Sequence, residues 1–491
     1  NYDVPEEVFT LTVGAETVTG TLARGTATNR TFRLPAETVR AVLKMGDEQV
    51  TAEFPVKVRS PIPETRMVVF KRLPEGEEIP ANATAVNALT EAAQASLDWL
   101  AGYRYICTEQ LSARALPYCF RKDRQAQAVL ANVARQLLMR WQPAGGFTAW
   151  PKGSLIWRQA TPLAAGVILA AFRTGALPEN QAWRDTLLRH LRTLAMNGTA
   201  EARGEAAYAV WLLALEEDDT FRKAAQNLLA ADRRDMAAFL AAAALVRGGY
   251  AAEGVSTLRA LLRAEDVPEK TVLDPFMDRT ASLGMMTAVA AACGMGKDVP
   301  AEWIGRLLMA PKNGTQANAW AAAALQLLDG AFPPGRLIRQ ELCLPAIRPG
   351  QLIAVQRQIL NARGFPVTLL KHGELAYIQI SFTLPKPVFS LAVCDLLPGG
   401  LEVEDGALAT RSREALPAWA DAENHFQPEY REQLGDEVRF FGSADAGTSR
   451  IVYPVRAVAR GRFRVPATLV EGMTEPDLTG GFAPDKELII D

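Results

Sequence analysis

A block of about 250 residues, from about position 82 to about 330, is dominated by Ala, Leu, Arg and Glu, with apolar residues recurring every 3.6 positions. Such a block buries its apolar stripes only by packing helix on helix. About twelve helical segments separate, starting near residues 84, 107, 121, 160, 181, 200, 218, 233, 250, 277, 299 and 314. Breakers stand between them at Asn197-Gly198, Gly248-Gly249, Val267-Pro268, Val299-Pro300 and Asn313-Gly314. Helices paired by short loops about six times over predict a closed ring of hairpins, an α/α-toroid, rather than an open solenoid. The runs Ala237 to Ala244 and Ala321 to Ala324 supply the thin faces that an inner ring needs.

The flanks have a different texture. Val8-Phe-Thr-Leu-Thr-Val13, Thr17-Val-Thr-Gly-Thr-Leu22 and Met67-Val-Val-Phe70 read as strands, and Phe54 to Arg66 as a proline-spaced connector. After Gly330 strands return, with Pro333-Pro-Gly and Arg348-Pro-Gly marking a linker. Leu352 to Leu360 is expected to close the first β-unit. Leu375 to Phe382, Val388 to Val393, Glu437 to Phe441 and Arg450 to Val458 then predict a terminal β-sandwich from about residue 365.

At 491 residues, two to four domains are expected. A net charge of −2 gives no electrostatic case for nucleic acid or an anionic membrane. No run of 18 apolar residues occurs, so no spanning helix is expected. The five cysteines, 107, 119, 293, 343 and 394, are too scattered for a disulfide framework, and their odd number leaves one over. The chain starts at Asn1, without initiator Met or signal peptide, so a piece of a longer protein is expected.

Cys107-Thr-Glu-Gln110 opens the second helical segment. Residues three apart on a helix share a face, with Cβ atoms roughly 5–6 Å apart, so the Cys107 sulfur can reach the Gln110 carbonyl. A helix N-terminus is expected to lower the thiol pKa. Expulsion of ammonia would close an internal thioester, an acyl group stored for one attack by an amine or hydroxyl. The alternative is that Cys107 is a buried small hydrophobe.

Cys107-Thr-Glu-Gln110 resembles the thioester motif of alpha-2-macroglobulins and complement thioester proteins. The longer run Tyr103 to Pro117 is most similar to the bacterial alpha-2-macroglobulins. The family usually has Pro-Tyr-Gly before the cysteine, and here Arg104-Tyr105-Ile106 stands there. Asp395-Leu-Leu-Pro-Gly-Gly-Leu-Glu402, Arg456 to Pro466 and Glu471-Gly-Met-Thr-Glu-Pro-Asp477 resemble the family's C-terminal strands. In the family the last of these loops shields the thioester with Met followed by Tyr. Met473 matches, and Thr474 stands in place of the Tyr. Tyr103, Tyr105 and Tyr118 are candidates to replace that shield, or are core residues.

The resemblance implies β-sandwich domains flanking an inserted six-hairpin α/α-toroid thioester domain. Residues 1–50 would be a macroglobulin-like β segment, 51–81 with 331–362 a discontinuous CUB-like β-domain, 82–330 the toroid, and 363–491 a C-terminal macroglobulin-like sandwich. It implies a periplasmic or cell-envelope protease trap, lipid-anchored through an upstream region, that captures proteases covalently through a lysine. Cys107 and Gln110 would form the thioester, Glu109 would orient Gln110 or cap the helix, and Tyr103, Tyr105 and Met473 would shield it. No cofactor or metal is implied.

Other constellations carry less. His190, His372 and His425 have no metal-ligand spacing. His190, alone of them in the helical block, is the candidate for transferring the acyl group to hydroxyls, and direct attack by amines is expected instead. Glu216-Glu-Asp-Asp219 and Asp274-Pro-Phe-Met-Asp278 would matter in an α/α-toroid carbohydrate-active enzyme, but read as a polar turn and a cap. The loop Gln142 to Trp150 resembles the Gly-aromatic loops of α/α-toroids such as terpenoid cyclases, without a DDxxD motif. The remaining reading is a degenerate envelope interaction module with Cys107 as a free thiol.

Overall fold

The computed structural model describes residues 6–23, 38–55, 62–73, 76–86, 89–197, 202–231, 235–263, 276–309, 314–328, 336–347, 350–404, 417–420 and 426–491. Strands β1 (Glu6–Val13), β2 (Glu16–Ala23), β3 (Thr38–Met45) and β4 (Glu48–Pro55) form an antiparallel sheet in the order β2-β1-β3-β4. Its two hairpins turn on Gly14 (φ 60°) and Gly46 (φ 55°), where the left-handed backbone favours glycine. The sheet runs on to Pro55, past the boundary expected at residue 50. Strands β5 (Glu64–Leu73) and β6 (Ala83–Val86) follow, the latter inside the span expected to be helical.

Twelve α-helices lie among the described residues: α1 (Leu89–Gly102), α2 (Thr108–Ala115), α3 (Arg124–Leu138), α4 (Ala160–Arg173), α5 (Gln181–Ala195), α6 (Arg203–Leu215), α7 (Thr220–Leu229), α8 (Met236–Arg247), α9 (Ala251–Leu262), α10 (Arg279–Ala292), α11 (Ala301–Met309) and α12 (Thr315–Leu327). A tight turn of paired two-residue strands, β7 (Trp141–Gln142) and β8 (Gly146–Phe147), stands between α3 and α4. Each even-numbered helix packs on the next even one, and α12 returns to α2, closing the ring. The odd-numbered helices lie outside: α1 on α12, α3 on α4, α5 on α6, α7 and α9 on α8, α11 on α10. Sequence explains the division. Helices α4, α6, α8, α10 and α12 are buried around most of their circumference and rich in Ala, whereas α3, α5 and α7 bury one stripe each. Ala237 to Ala244 and Ala321 to Ala324, expected at the inner ring, are buried in α8 and α12.

Strand β9 (Arg336–Pro345) pairs with both β5 and β6, giving the sheet β5-β9-β6 at the neck of the helical domain. The remaining strands are β10 (Ala354–Leu360), β11 (Leu369–Leu370), β12 (Leu375–Leu384), β13 (Val388–Leu396), β14 (Leu401–Val403), β15 (Phe426–Leu434), β16 (Glu437–Ala444), β17 (Gly447–Ala457), β18 (Gly461–Arg464), β19 (Thr468–Gly472), β20 (Glu475–Phe482) and β21 (Glu487–Ile490). Two sheets, β10-β12-β17-β14 and β15-β16-β13-β19-β20, enclose an apolar core that includes Ile378, Val393, Val438 and Val455. Strand β10 was expected to close the first β-unit. It pairs instead with β12 along its whole length, so the terminal domain begins before residue 362. Alternating apolar residues predicted a strand there; which sheet it joins depends on a partner, and period carries no record of that.

The acidic clusters are structural. Glu216 accepts from Arg173 and from Arg184 (3.0 Å), Asp218 from Arg192 (2.9 Å), and Asp278 caps α10 through the Ala281 amide. Asp274 lies outside the described residues. A cavity of about 20 Å³ lies within the ring beside Cys119, Tyr208, Trp211 and Trp320, with no carboxylate among its walls.

Gly284 on α10 lies flush against α12, where an added Cβ would stand 2.8 Å from the Trp320 carbonyl carbon and 2.9 Å from the Ala321 nitrogen. Neither backbone atom can yield by rotation. Gly284→Ala should destabilise the chain by about 1–3 kcal/mol, read as a lower melting temperature, while Gly296→Ala, whose Cβ meets nothing nearer than 3.6 Å, should change it little.

Candidate functional site

Cys107 is the N-cap of α2, in extended conformation, and only 1% exposed. Its sulfur accepts the Gln110 backbone N–H, in the role a capping serine oxygen usually plays. Reciprocally, the Cys107 N–H donates to Gln110 Oε1 at 2.9 Å. The spacing of three therefore brings thiol and amide together, as expected. Gln110 Nε2 points the other way and donates to Met473 Sδ at 3.7 Å, across the seam between the helical and C-terminal domains. Met473, just past β19, is held by its own N–H to Ser390 O (2.8 Å).

Tyr105, Cys107 and Trp150 from the helical domain form one apolar cluster with Cys394, Phe441 and Leu469 from the C-terminal domain, and Tyr103, Tyr430 and Met473 pack on it. Trp150 stacks on Tyr430 at 5.0 Å, and Tyr105 meets Phe441 edge-on at 5.6 Å. Tyr105 OH donates to Glu471 Oε2 at 2.6 Å, Arg104 Nη2 reaches Glu471 Oε1 at 3.0 Å, and Arg439 Nη1 donates to Arg104 O at 3.0 Å. Glu471 is thus the hub that ties the lead-in to β19. Beside it a cavity of about 420 Å³ opens where Pro63, Trp99, Tyr103, Ala346 and Leu469 meet. Of the three tyrosines proposed near the cysteine, Tyr103 and Tyr105 join this cluster, whereas Tyr118 belongs to the core of the helical domain. Ile106 has a negative φ, so this backbone does not need the glycine of the family pattern.

Two expectations are corrected. Glu109 neither orients Gln110 nor caps its own helix: its Oε1 accepts from Thr315 Oγ1 (2.8 Å) and Gln316 Nε2 (2.6 Å) at the N-terminus of α12, stapling the ring where it closes. The thiol pKa moves opposite to the direction expected at a helix start. Burial pushes it well up, the nearby Glu109 adds to this, and the Gln110 amide and Arg140 pull it only partly back. His190 rests edge-on against Trp141 at 5.9 Å, and among the described residues no hydrogen bond or ring contact joins it to Cys107 or Gln110. Sequence reasoning missed Arg140, Trp150, Tyr430, Phe441 and Glu471. The Gly-aromatic loop ending at Trp150 was visible as a motif, but not that it lies over the cysteine.

Residues 353–477 match the family model described as the bacterial alpha-2-macroglobulin MG10 domain. Over 151 residues the chain is 31% identical to alpha-2-macroglobulin of Xylella fastidiosa, covering 28% of this chain and 9% of that protein. Over 234 residues it is 24% identical to that of Escherichia coli, covering 44% and 14%. The chain thus spans a small part of the curated relatives it matches. Its fold is similar to Escherichia coli alpha-2-macroglobulin from domain MG7 to the C-terminus, with a TM-score of 0.79 and 17% identity over 99% of this chain and 94% of that one. It is also similar to Salmonella alpha-2-macroglobulin reacted with methylamine, with a TM-score of 0.77 and 18% identity over 99% and 39%.

Burial raises the Glu109 pKa against the opposing bonds from Gln316 and Thr315. A carboxyl whose folded pKa is raised contributes stability below its unfolded pKa and loses it as pH rises through the folded value. Glu109→Gln keeps an Oε1 to accept both bonds and removes that charge. Its melting temperature should therefore gain on the unsubstituted chain as pH rises above about 4, the ordinary glutamate value; a difference that stays constant with pH would refute the assignment.

Proposed function

The chain belongs to the bacterial alpha-2-macroglobulin family, and on that premise we propose that it is the part of a protease trap that stores and releases an internal Cys107–Gln110 thioester. The observation that carries the reading is the reciprocal bonding of Cys107 and Gln110 at the start of α2, with Met473 of the C-terminal domain seated on the Gln110 amide. In formation, Sγ attacks Gln110 Cδ, Oε1 stays against the Cys107 N–H, and the Nε2 group leaves as ammonia. In use, an amine such as a lysine of an attacking protease adds to Cδ, the C–S bond breaks, and the amine is left in amide linkage.

Two features of the closed site protect such an ester. The aromatic walls and Met473 keep water from the carbonyl. The raised thiol pKa also makes sulfur a poor leaving group, since a low-pKa thiol leaves faster. Withdrawal of the C-terminal domain removes both protections together. The full protein would act in the periplasm or cell envelope and be triggered by proteolysis elsewhere in its length. The Salmonella relative solved after reaction with methylamine supports this amine chemistry.

Intact mass tests the reading. The purified chain should be lighter than its sequence by one ammonia and should gain one methylamine at Gln110 with release of the Cys107 thiol. Met473→Ala should speed both methylamine uptake and spontaneous hydrolysis, the latter leaving Glu at position 110. A full sequence mass, with intact Gln110 and a titratable Cys107, would favour the interaction-module reading instead.

A further inference from the structure

Arg140, just past α3, is 2% exposed. A guanidinium keeps its charge at any ordinary pH, and a buried charge is costly unless matched. Arg140 has no such match. Nη2 donates to Ile106 O (2.9 Å), Nη1 to Thr108 Oγ1 (3.2 Å) and Ala149 O (3.0 Å), and Nε is buried with no acceptor. Among the described residues no carboxylate bonds to it. Two of its three partners, Ile106 and Thr108, flank Cys107. The groups around it able to carry negative charge are the Cys107 thiol and the Tyr430 phenol.

We propose that Arg140 is the counter-ion of the Cys107 thiolate, the species produced when the acyl bond to Gln110 breaks. The electron pair of the C–S bond goes to Sγ, the amine nitrogen bonds to Cδ, and the amine proton passes to water. Sulfur then leaves as an anion beside a fixed cation. Arg140 touches neither substrate nor Cδ; it is a positioning residue that acts through Cys107. This role rests on the thioester reading, but the ion pair itself is testable without it.

The other charged and titratable groups around Cys107 do not serve. Glu109 on α2 opposes a thiolate; Glu471 on β19 is bound to Arg104, and Arg439 to Glu437 and Glu432. Tyr103 and Tyr105 are held protonated by burial, Cys394 bonds to Tyr105, and α12 presents only Thr315 and Gln316. Position separates Arg140 from the rest. All its hydrogen-bond partners lie in the helical domain, so it stays beside Cys107 when the C-terminal domain withdraws. Tyr430, Arg439, Cys394 and Glu471 leave with that domain.

The test uses the full chain carrying Gln110→Ala, which has no acyl partner, and Met473→Gly, which opens the seam. Iodoacetamide alkylation of Cys107 is followed against pH by peptide mass. Adding Arg140→Met should raise the midpoint by about 1–3 pH units, and so slow alkylation at a fixed lower pH roughly tenfold or more. Arg140→Lys should stay near the parent midpoint. Arg140→Gln, which keeps donors but not charge, should follow Arg140→Met and serves if the latter does not fold, as judged by circular dichroism and melting. Equal midpoints in the parent and Arg140→Gln, or equal shifts for Lys and Gln, would overturn the proposal. Absence of ammonia loss in the unsubstituted chain would defeat the thioester reading while leaving this comparison intact.

Discussion

The site turns on one amide held at both ends. Gln110 gives its oxygen to the Cys107 N–H and its nitrogen to the Met473 sulfur, so a single side chain registers α2 against a domain more than 350 residues further along. A thioether is a weak acceptor, and that bond alone holds little. The strength lies around it, in the Trp150–Tyr430 stack, the Tyr105–Phe441 contact and the bonds converging on Glu471. On the proposed thioester reading, a weak contact over the Gln110 carbonyl, framed by stronger contacts at its border, would keep that carbonyl dry without bonding tightly to it.

The toroid fixes where that amide points. Helix α2 is only eight residues long, too short to be stable alone, and it owes its place to neighbours on both sides of the ring. Thr108 bonds to the Ala149 and Thr148 carbonyls of the Gly-aromatic loop, and Glu109 reaches the start of α12. Three consecutive residues, 108 to 110, thus face the loop, the far end of the ring and the other domain. The motif is a structural junction as well as the proposed thioester site.

Much of this was legible in the residues, and what was not has a common cause. Helix period predicted the twelve helices, and the Ala-rich runs pointed to two of those that line the ring, α8 and α12, because burial on all sides leaves a local trace. The Cys107–Gln110 spacing and Met473 were also visible. The role of Glu109, the sheet joined by β10 and the direction of the thiol shift were not. Each depends on a group distant in sequence: Thr315 and Gln316 for Glu109, Leu375 to Leu384 for β10, and the Trp150 and Phe441 walls for Cys107. Arg140 left no signal at all, since an arginine at the end of an amphipathic helix ordinarily reads as a solvated charge.

Ring closure also has a mechanical side. Because α12 ends where α1 begins, the entering strand β6 and the returning strand β9 lie side by side, hydrogen-bonded in one small sheet with β5. The helical domain therefore hangs from the chain by a narrow double-stranded stem, as a bell hangs from its yoke. In the proposed rearrangement, tension pulling the flanking domains apart would enter and leave through these neighbouring strands, so α2 and its bonds to Arg140 would move as one body while the seam at Met473 took the strain.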